Sequence, residues 1–124
     1  MTMLAPIRHL IGSTRYSLQG IGVLMREMAA RIEFGMLVIV LGILALVGAD
    51  LRHWIILTSL FLILIAVEAL NTAIEAIVDR LSPERSDFAR DAKDLASAGV
   101  FLTVLAIGVY FFAVLLGASG AIEF

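Results

Sequence analysis

The sequence predicts an all-α membrane protein with an N-terminal amphipathic helix at the membrane interface and three transmembrane helices. Of its 124 residues, 61% are hydrophobic and 16% are charged, which is too apolar for an ordinary soluble domain. Three long apolar runs carry almost no charge, as transmembrane helices require. No linker or repeat divides the chain, so we expect one membrane-embedded domain over residues 1–124.

The composition excludes several classes of protein and site. The formal net charge is -2, and no basic run carries interleaved aromatic residues, so we expect no nucleic-acid partner. The chain contains no cysteine, which excludes disulfides, thiolate nucleophiles and cysteine metal sites. The first residues lack a basic region followed by a long apolar core, so we expect no cleavable signal peptide.

The N-terminal helix is predicted over residues 6–28. Its apolar residues recur at helical spacing and fall on one side: Ile7, Leu10, Ile11, Leu18, Ile21 and Met25. A neighbouring flank is polar and basic: Arg8, Arg15, Gln19 and Arg26. These charges are too many for a spanning helix, so we expect a helix that lies in the interface with snorkelling arginines. The alternative is a solvated helix that leads into the first span.

The three spans are predicted at residues 30–49, 54–81 and 92–118. The first charge-free run, 34–49, is shorter than the roughly 20 residues that a bilayer needs, so it is extended at its start. The second follows a polar turn and begins at Trp54, a residue suited to the membrane boundary. The third lies within the uncharged run 95–122. Four glycines are expected to mark close helix packing: Gly42, Gly48, Gly99 and Gly108.

The basic residues predict the orientation. Four lie before or at the start of the first span, four lie at the end of the second span or between it and the third, and Arg52 alone lies between the first and second. Because cytoplasmic loops carry the excess of Lys and Arg, we expect the N-terminus and the second loop in the cytoplasm and the C-terminus outside.

The second span carries a polar stripe. On a helix of 100° per residue, four side chains lie within about 80° of one another: Glu68, Asn71, Glu75 and Asp79. A carboxylate inside a membrane is costly and therefore indicates function. Two bland alternatives are that the helix has left the bilayer and the stripe is solvated, or that Glu68 is a protonated structural residue and Asn71 an interhelical hydrogen-bond donor.

The depth of the stripe suggests a division of tasks. If about 20 residues cross the hydrocarbon from Trp54, Glu68 lies about 9 Å beneath the cytoplasmic interface, with Glu75 at the interface and Asp79 beyond it. A carboxylate just below the headgroups could take a proton from a lipid hydroxyl. Carboxylates at the aqueous edge could hold magnesium and, through it, nucleotide phosphates. Glu27 and Glu33, at the inner end of the first span, could complete a metal site.

Two segments of the sequence carry a specific resemblance to a known protein family. Residues 67–84 read VEALNTAIEAIVDRLSPE, and residues 90–102 read RDAKDLASAGVFL. They resemble the prokaryotic diacylglycerol kinase family, whose hallmark is Glu-x-x-Asn-[Ser/Thr]-Ala-Ile-Glu-x-x-x-Asp followed by Ala-Lys-Asp. Tyr16-Ser17 with Gly20, and Glu27, also match the family pattern, and the likeness covers roughly residues 8–117. The second loop departs from it, with Arg85-Ser86 where relatives often carry histidine and Asp91 where a basic residue is expected.

The resemblance implies a homotrimeric, three-span lipid kinase of the bacterial cytoplasmic membrane, with active sites at subunit boundaries. It would transfer the γ-phosphate of magnesium-bound ATP to diacylglycerol and so form phosphatidic acid. Within the same class, the alternative is an undecaprenol kinase. An alternative of a different class is a small proton-coupled exporter, whose intramembrane glutamate would bind cation and proton in turn.

The resemblance also implies a role for each matching residue. Glu68 would be the general base, with Asn71 and Asp79 supporting catalysis, and Glu27 and Glu75 would hold the metal ion. The lipid substrate would contact Glu68, Glu33 and Ser97. The expected ATP-binding residues are Arg8, Tyr16, Glu27, Glu75, Glu84, Lys93 and Asp94.

Overall fold

The computed structural model is an all-α fold of four helices. It describes residues 4–84 and 86–123, with side chains from residue 12 onward. In chain order the helices are α1 (Leu4–Leu24), α2 (Met28–Leu46), α3 (Leu51–Leu81) and α4 (Asp87–Ala118). Of these, α2, α3 and α4 are long and apolar enough to cross a membrane. The predicted fold class, three membrane spans preceded by an N-terminal helix, is confirmed.

The N-terminal helix ends earlier than its sequence pattern suggests. α1 ends at Leu24, and Glu27 then adopts an extended backbone (φ -74°, ψ 138°) as the N-cap residue of α2. The last turns of α1 contain Gly20 and Gly22, each of which weakens a helix by up to roughly 1 kcal/mol relative to alanine. Glu27 therefore lies in the turn between two helices rather than within the predicted surface helix.

Two of the predicted apolar side chains in the described part of α1 are not covered by the rest of the protein. Leu18 and Ile21 retain 65% and 49% of their accessible surface, and Met25, just after the helix, retains 40%. α1 does contact α3, and Leu24 at its end is buried. Uncovered apolar side chains on a helix of this kind suit the membrane interface, and the interfacial placement of α1 stays a prediction.

A glycine ends α2 where the chain must reverse. Gly48 has φ +65°, a left-handed conformation that glycine adopts without steric cost. The N–H group of Ala49 donates to the carbonyl of Leu44 at 3.0 Å, which is the closing bond of a Schellman motif. The prediction that Gly48 marks close helix packing is wrong, because its role is to stop the helix.

The other glycines differ in their surroundings. A Cβ atom at Gly99 would lie 3.6 Å from Cγ1 of Val67, so Gly99 does allow α4 to pack closely on α3. At Gly42 and Gly108, a Cβ atom would meet nothing within 4 Å among the described residues. Close helix packing at Gly42 and Gly108 stays a prediction, and it would involve helices of another subunit.

The junction between α3 and α4 is set by capping residues. Ser82 caps the end of α3 and is followed by Pro83, which cannot continue a helix. The Ser86 hydroxyl accepts a hydrogen bond from the N–H group of Ala89 at 3.1 Å, which fixes the start of α4 at Asp87. α4 therefore includes charged turns that precede the predicted span.

The hydrophobic core lies where α2, α3 and α4 meet. α3 contacts each of the other helices, and its packing against α4 is the most extensive. The core residues come from all three spans: Val40, Leu44, Leu57, Phe61, Leu64, Ile107 and Val114. Many large apolar side chains on the outer faces of the same helices remain exposed, as expected for surfaces that meet lipid or other apolar helices.

Candidate functional site

The buried face of α3 changes from hydrophobic to polar partway along the helix. Leu57, Phe61 and Leu64 are fully buried and belong to the core. Glu68 and Asn71 continue the same helical row, and they are only 4% and 9% exposed. One buried face of α3 is thus apolar through Leu64 and polar at Glu68 and Asn71. Burial of these two polar residues favours a functional site over a solvated helix end.

Glutamates from α2 and its N-cap come close to this row. We call Glu27, Glu33, Glu68 and Glu75 the acidic cluster. Glu33 is buried, with 5% exposure, and repels Glu68 electrostatically. Glu75 and Glu27 also repel Glu68. Four carboxyl groups so arranged favour the binding of a cation or of a proton.

Two acceptor atoms in this region are buried without hydrogen-bond partners. Asn71 Nδ2 donates to Glu75 Oε1 at 3.2 Å, which orients both side chains. Within the described residues, Asn71 Oδ1 and Glu33 Oε2 are buried and accept no hydrogen bond. A buried polar atom left unpaired costs about 1–3 kcal/mol. Both oxygen atoms are therefore available to a ligand that donates a hydrogen bond or to a metal ion that binds oxygen.

The acidic cluster fits magnesium, although it is not a preformed cage. Across residues 4–84 and 86–123, no three acidic or histidine side chains are grouped closely enough to hold a metal ion by themselves. Magnesium prefers oxygen ligands, and it is usually held by one or two carboxylates together with waters and substrate phosphates. Glu27 and Glu75 are both exposed carboxylates, so they suit a metal that arrives with a nucleotide.

A second group of predicted residues lies at the turn between α3 and α4. Lys93 Nζ donates to Asp79 Oδ1 in an ion pair that joins the two helices. The pair borders a cavity of about 510 Å³, which we call the turn pocket. The lining residues are Asp79, Ser82, Pro83, Glu84, Ser86, Asp87, Ala89, Arg90 and Lys93. Glu84, an expected ATP-binding residue, therefore shares one pocket with Asp79 and Lys93.

Some predicted site residues lie outside both groups. Tyr16 is 74% exposed on α1, and Asp94 and Ser97 are exposed on α4. These three side chains take part neither in the Asp79–Lys93 ion pair nor in the bond between Asn71 and Glu75. Arg8 belongs to α1, but its side chain is outside the described residues. Their assignments to ATP and lipid stay predictions.

The turn pocket also contains polar residues that sequence reasoning missed. Ser82 and Ser86 are joined by a hydrogen bond of 2.9 Å between their hydroxyl groups. Arg90 lines the pocket one helical turn before Lys93. The i, i+3 spacing of two basic residues at the start of a helix could have indicated a shared face, but the sequence alone did not show that this face meets Asp79.

The opposite end of α3 carries a separate polar group, which we call the histidine end: Asp50, Arg52, His53 and Tyr110. His53 is 6% exposed, and its Nδ1 lies 2.9 Å from the hydroxyl oxygen of Tyr110 on α4. Sequence reasoning gave His53 no role. The structure makes it a hydrogen-bonded contact between α3 and α4, far along the helix from the acidic cluster.

Comparison with known proteins gives one consistent result. The family model described as prokaryotic diacylglycerol kinase matches residues 15–115. A diacylglycerol kinase of Sinorhizobium sp. is 42% identical over 104 residues, which cover 84% of this chain and 76% of the relative. The Haemophilus influenzae diacylglycerol kinase is 36% identical over 104 residues, covering 83% and 88%. That of Escherichia coli K12 is 31% identical over 97 residues, covering 77% and 80%.

Proposed function

The chain belongs to the prokaryotic diacylglycerol kinase family, and we propose that it phosphorylates diacylglycerol at the acidic cluster, with Glu68 as the general base. The observation that carries this proposal is the polar continuation of the buried α3 row at Glu68 and Asn71. A catalytic carboxylate in a lipid kinase must be reachable from the membrane yet close to a water-borne nucleotide. The position of Glu68 supports this role, because the apolar row of α3 precedes it and exposed carboxylates follow it on the same helix.

The proposed reaction balances with Glu68 as the proton acceptor. The diacylglycerol hydroxyl oxygen attacks the γ-phosphorus of ATP and forms the new O–P bond, while the bond to the β,γ-bridging oxygen breaks and ADP leaves. The hydroxyl proton passes to Glu68, which must be ionised before the reaction. Glu33, which is buried near Glu68 and has an unpartnered oxygen, is proposed to contact the lipid substrate near the attacking hydroxyl group. Ser97 is proposed as a further contact to the lipid.

Charge neutralisation supplies most of the remaining catalysis in phosphoryl transfer. Glu27 and Glu75 would hold Mg²⁺, and Asn71 keeps Glu75 oriented through its amide hydrogen bond. When bound, Mg²⁺ neutralises negative charge on the transferring phosphate. The other three glutamates of the acidic cluster repel Glu68. A bound cation would reduce this repulsion.

The turn pocket is proposed as part of the ATP site. Its lining includes Lys93 and Glu84, and Asp79 holds Lys93 at its edge through the ion pair. Asp94, Tyr16 and Arg8 are proposed to contact the nucleotide as well. The family resemblance is the ground for proposing a homotrimer with sites at subunit boundaries. Tyr16 and Glu27 are exposed in the single chain, so a second subunit can reach them.

ATP is a cytoplasmic substrate, so the proposal requires the acidic cluster to face the cytoplasm. The bias of basic residues towards this side supports that orientation in a bacterial cytoplasmic membrane. The chain contains no cysteine, so single cysteines at Ser82 and Ser119 can report the sidedness. We expect a membrane-impermeant maleimide added to intact cells to label S119C and to spare S82C. Labelling of S82C alone would place the site out of reach of ATP.

The reaction itself is tested with purified protein in detergent–lipid micelles. Radiolabelled phosphate from the γ position of ATP should appear in phosphatidic acid when diacylglycerol and Mg²⁺ are present, and removal of Mg²⁺ by a chelator should abolish transfer. Undecaprenol serves as the competing acceptor in a parallel reaction. A higher kcat/KM for undecaprenol would assign the other lipid alcohol, and transfer to neither lipid would contradict the proposal.

A further inference from the structure

The turn pocket holds a second cation besides Lys93. Arg90 and Lys93 are three residues apart on α4, so they lie on one helical face, and both line the pocket. The pocket volume of about 510 Å³ is within the range of about 300–1,000 Å³ typical of small-molecule sites. Three carboxylates, those of Asp79, Glu84 and Asp87, line the same cavity. An anionic ligand would therefore bind on the side formed by the two cations, in exchange for the carboxylates that they now contact.

We propose that Arg90 binds a phosphate group of the nucleotide in the turn pocket. This inference rests on the proposed kinase function and adds a residue that neither the sequence nor the family resemblance assigns to the site. A guanidinium group can donate two parallel hydrogen bonds to phosphate oxygens, whereas a lysine offers a point charge. Arg90 and Lys93 together would hold the chain of phosphates from two directions.

Arg90 now forms ion pairs that a phosphate group can replace. Its Nη1 lies 3.1 Å from Asp87 Oδ1, and its Nη2 lies 3.2 Å from Asp91 Oδ1. The three side chains are 64%, 89% and 65% exposed, and ion pairs in water contribute little to stability. Replacing these carboxylates with a phosphate group therefore costs little. By contrast, Lys93 is 38% exposed and is paired across the helices with Asp79.

The position of the pocket favours a nucleotide over a lipid headgroup as the source of the phosphate. The cavity lies at the junction of α3 and α4, at the level of Asp79 and Glu84, beyond the apolar row of α3. The Ser82 and Ser86 hydroxyl groups border it, and they can donate to phosphate oxygens. A headgroup would instead have to leave the membrane interface to reach Arg90.

The test compares R90Q with R80Q. Arg80 is an exposed cation at the same end of α3 that does not line the pocket, so R80Q loses the same charge without the proposed contact. We expect the KM for ATP to rise about tenfold in R90Q, as for a lost hydrogen bond between charged groups, with kcat and the KM for diacylglycerol within about twofold of wild type. R80Q should leave all three within about twofold.

Binding measurements separate phosphate contact from other causes. Displacement of a fluorescent ATP analogue by ATP, ADP, AMP and adenosine is measured for wild type, R90K and R90Q, each checked for an unchanged thermal unfolding midpoint. We expect the affinity loss in R90Q to be largest for ATP and smallest for AMP, with R90K intermediate. An equal loss for all three nucleotides would place the contact at the α-phosphate, whereas an equal loss for adenosine as well would place Arg90 away from the phosphates and overturn the proposal.

Two further outcomes are decisive. If the KM for ATP is unchanged in R90Q, and phosphatidylglycerol added to the micelles stimulates wild type but not R90Q, Arg90 binds a lipid headgroup and the proposal is wrong. If wild type phosphorylates diacylglycerol and R90Q matches it in every parameter, this inference fails and the kinase assignment stands. Failure of wild type to transfer phosphate at all would instead reject the proposed function.

Discussion

The two ends of α3 bury polar side chains in opposite ways. At the histidine end, His53 is buried and bonded to Tyr110, and the indole N–H group of Trp54 donates to the Ala49 carbonyl at 3.2 Å. At the other end, Glu33 and Asn71 are buried about as deeply, yet each has an oxygen without a hydrogen-bond partner among the described residues. The first arrangement stabilises the fold, whereas the second lowers stability and keeps acceptors available for ligands.

The polar side chains of the histidine end contact one another in sequence. Arg52 Nε donates to His53 Nε2 at 3.3 Å. His53 Nδ1 lies 2.9 Å from the Tyr110 hydroxyl oxygen, and either group can be the donor. Asp50 lies 3.9 Å from Arg52 and completes the group. Such a sequence of paired groups is typical of a structural contact.

The largest effect should come from Glu68. E68Q removes the proposed base and also its repulsion with Glu75 and Glu27. We expect kcat for phosphatidic acid formation to fall about 100- to 10,000-fold, with a thermal unfolding midpoint equal to or above that of wild type. The matched control is E123Q, an exposed glutamate near the C-terminus, which should retain full activity. Wild-type turnover by folded E68Q would refute the role of base.

Glu75 should have the next largest effect, and it should act through the metal. E75Q keeps the shape of the side chain and removes its charge. We expect the Mg²⁺ concentration for half-maximal activity to rise about 10- to 100-fold, with a partial recovery of rate at high Mg²⁺. Titration of activity with Mg²⁺ at saturating ATP measures this. An unchanged Mg²⁺ dependence together with a lower rate would remove Glu75 from the proposed metal ligands.

Asn71 offers a variant in which stability and activity should move in opposite directions. N71L replaces the amide, whose oxygen is unpartnered, with an apolar group of similar size. Since an unsatisfied buried acceptor costs about 1–3 kcal/mol, we expect N71L to unfold at equal or higher temperature. Activity should fall about tenfold as Glu75 loses its amide hydrogen bond. A drop in both would show that Asn71 is mainly a structural residue.

Tyr110 should show the smallest effect on activity and a loss of stability. Y110F removes the hydroxyl that pairs with His53 while the ring remains in place. We expect the free energy of unfolding in detergent to decrease by about 1 kcal/mol, with kcat and both KM values within about twofold of wild type. Chemical denaturation followed by circular dichroism measures the first and the lipid phosphorylation assay the second. A large loss of activity would show that the contact between His53 and Tyr110 affects catalysis at the acidic cluster.

Much of the fold follows from patterns within single helices. Uncharged runs long enough to cross a bilayer predict α2, α3 and α4, and the spacing of Glu68, Asn71 and Glu75 places them on one face of α3. The break at Glu27 was missed, because helical spacing of apolar residues continues through it to Met28. Gly48 was misread because packing and helix-stopping glycines look alike until the backbone φ angle is known.

The tertiary contacts of the site were less accessible to sequence reasoning. Asp79 and Lys93 are 14 positions apart and meet because a capped turn folds α4 back along α3. The burial of Glu33 depends on the way α2 packs against α3, which the spacing of residues on α2 does not reveal. Arg90 joins the pocket for the same reason. Local periodicity therefore predicts faces, whereas the packing of helices determines which faces meet.

One consequence concerns the unequal lengths of neighbouring helices. α2 has 19 residues and α3 has 31, and the tight turn at Gly48 starts them level at one end. At 1.5 Å per residue, α3 therefore rises about 18 Å above the other end of α2. A thicker bilayer would place more of this protruding part of α3 in the hydrocarbon, and a thinner bilayer would bring Glu68 closer to water. Membrane thickness is thus expected to tune the rate, with an optimum acyl-chain length set by the shorter helix.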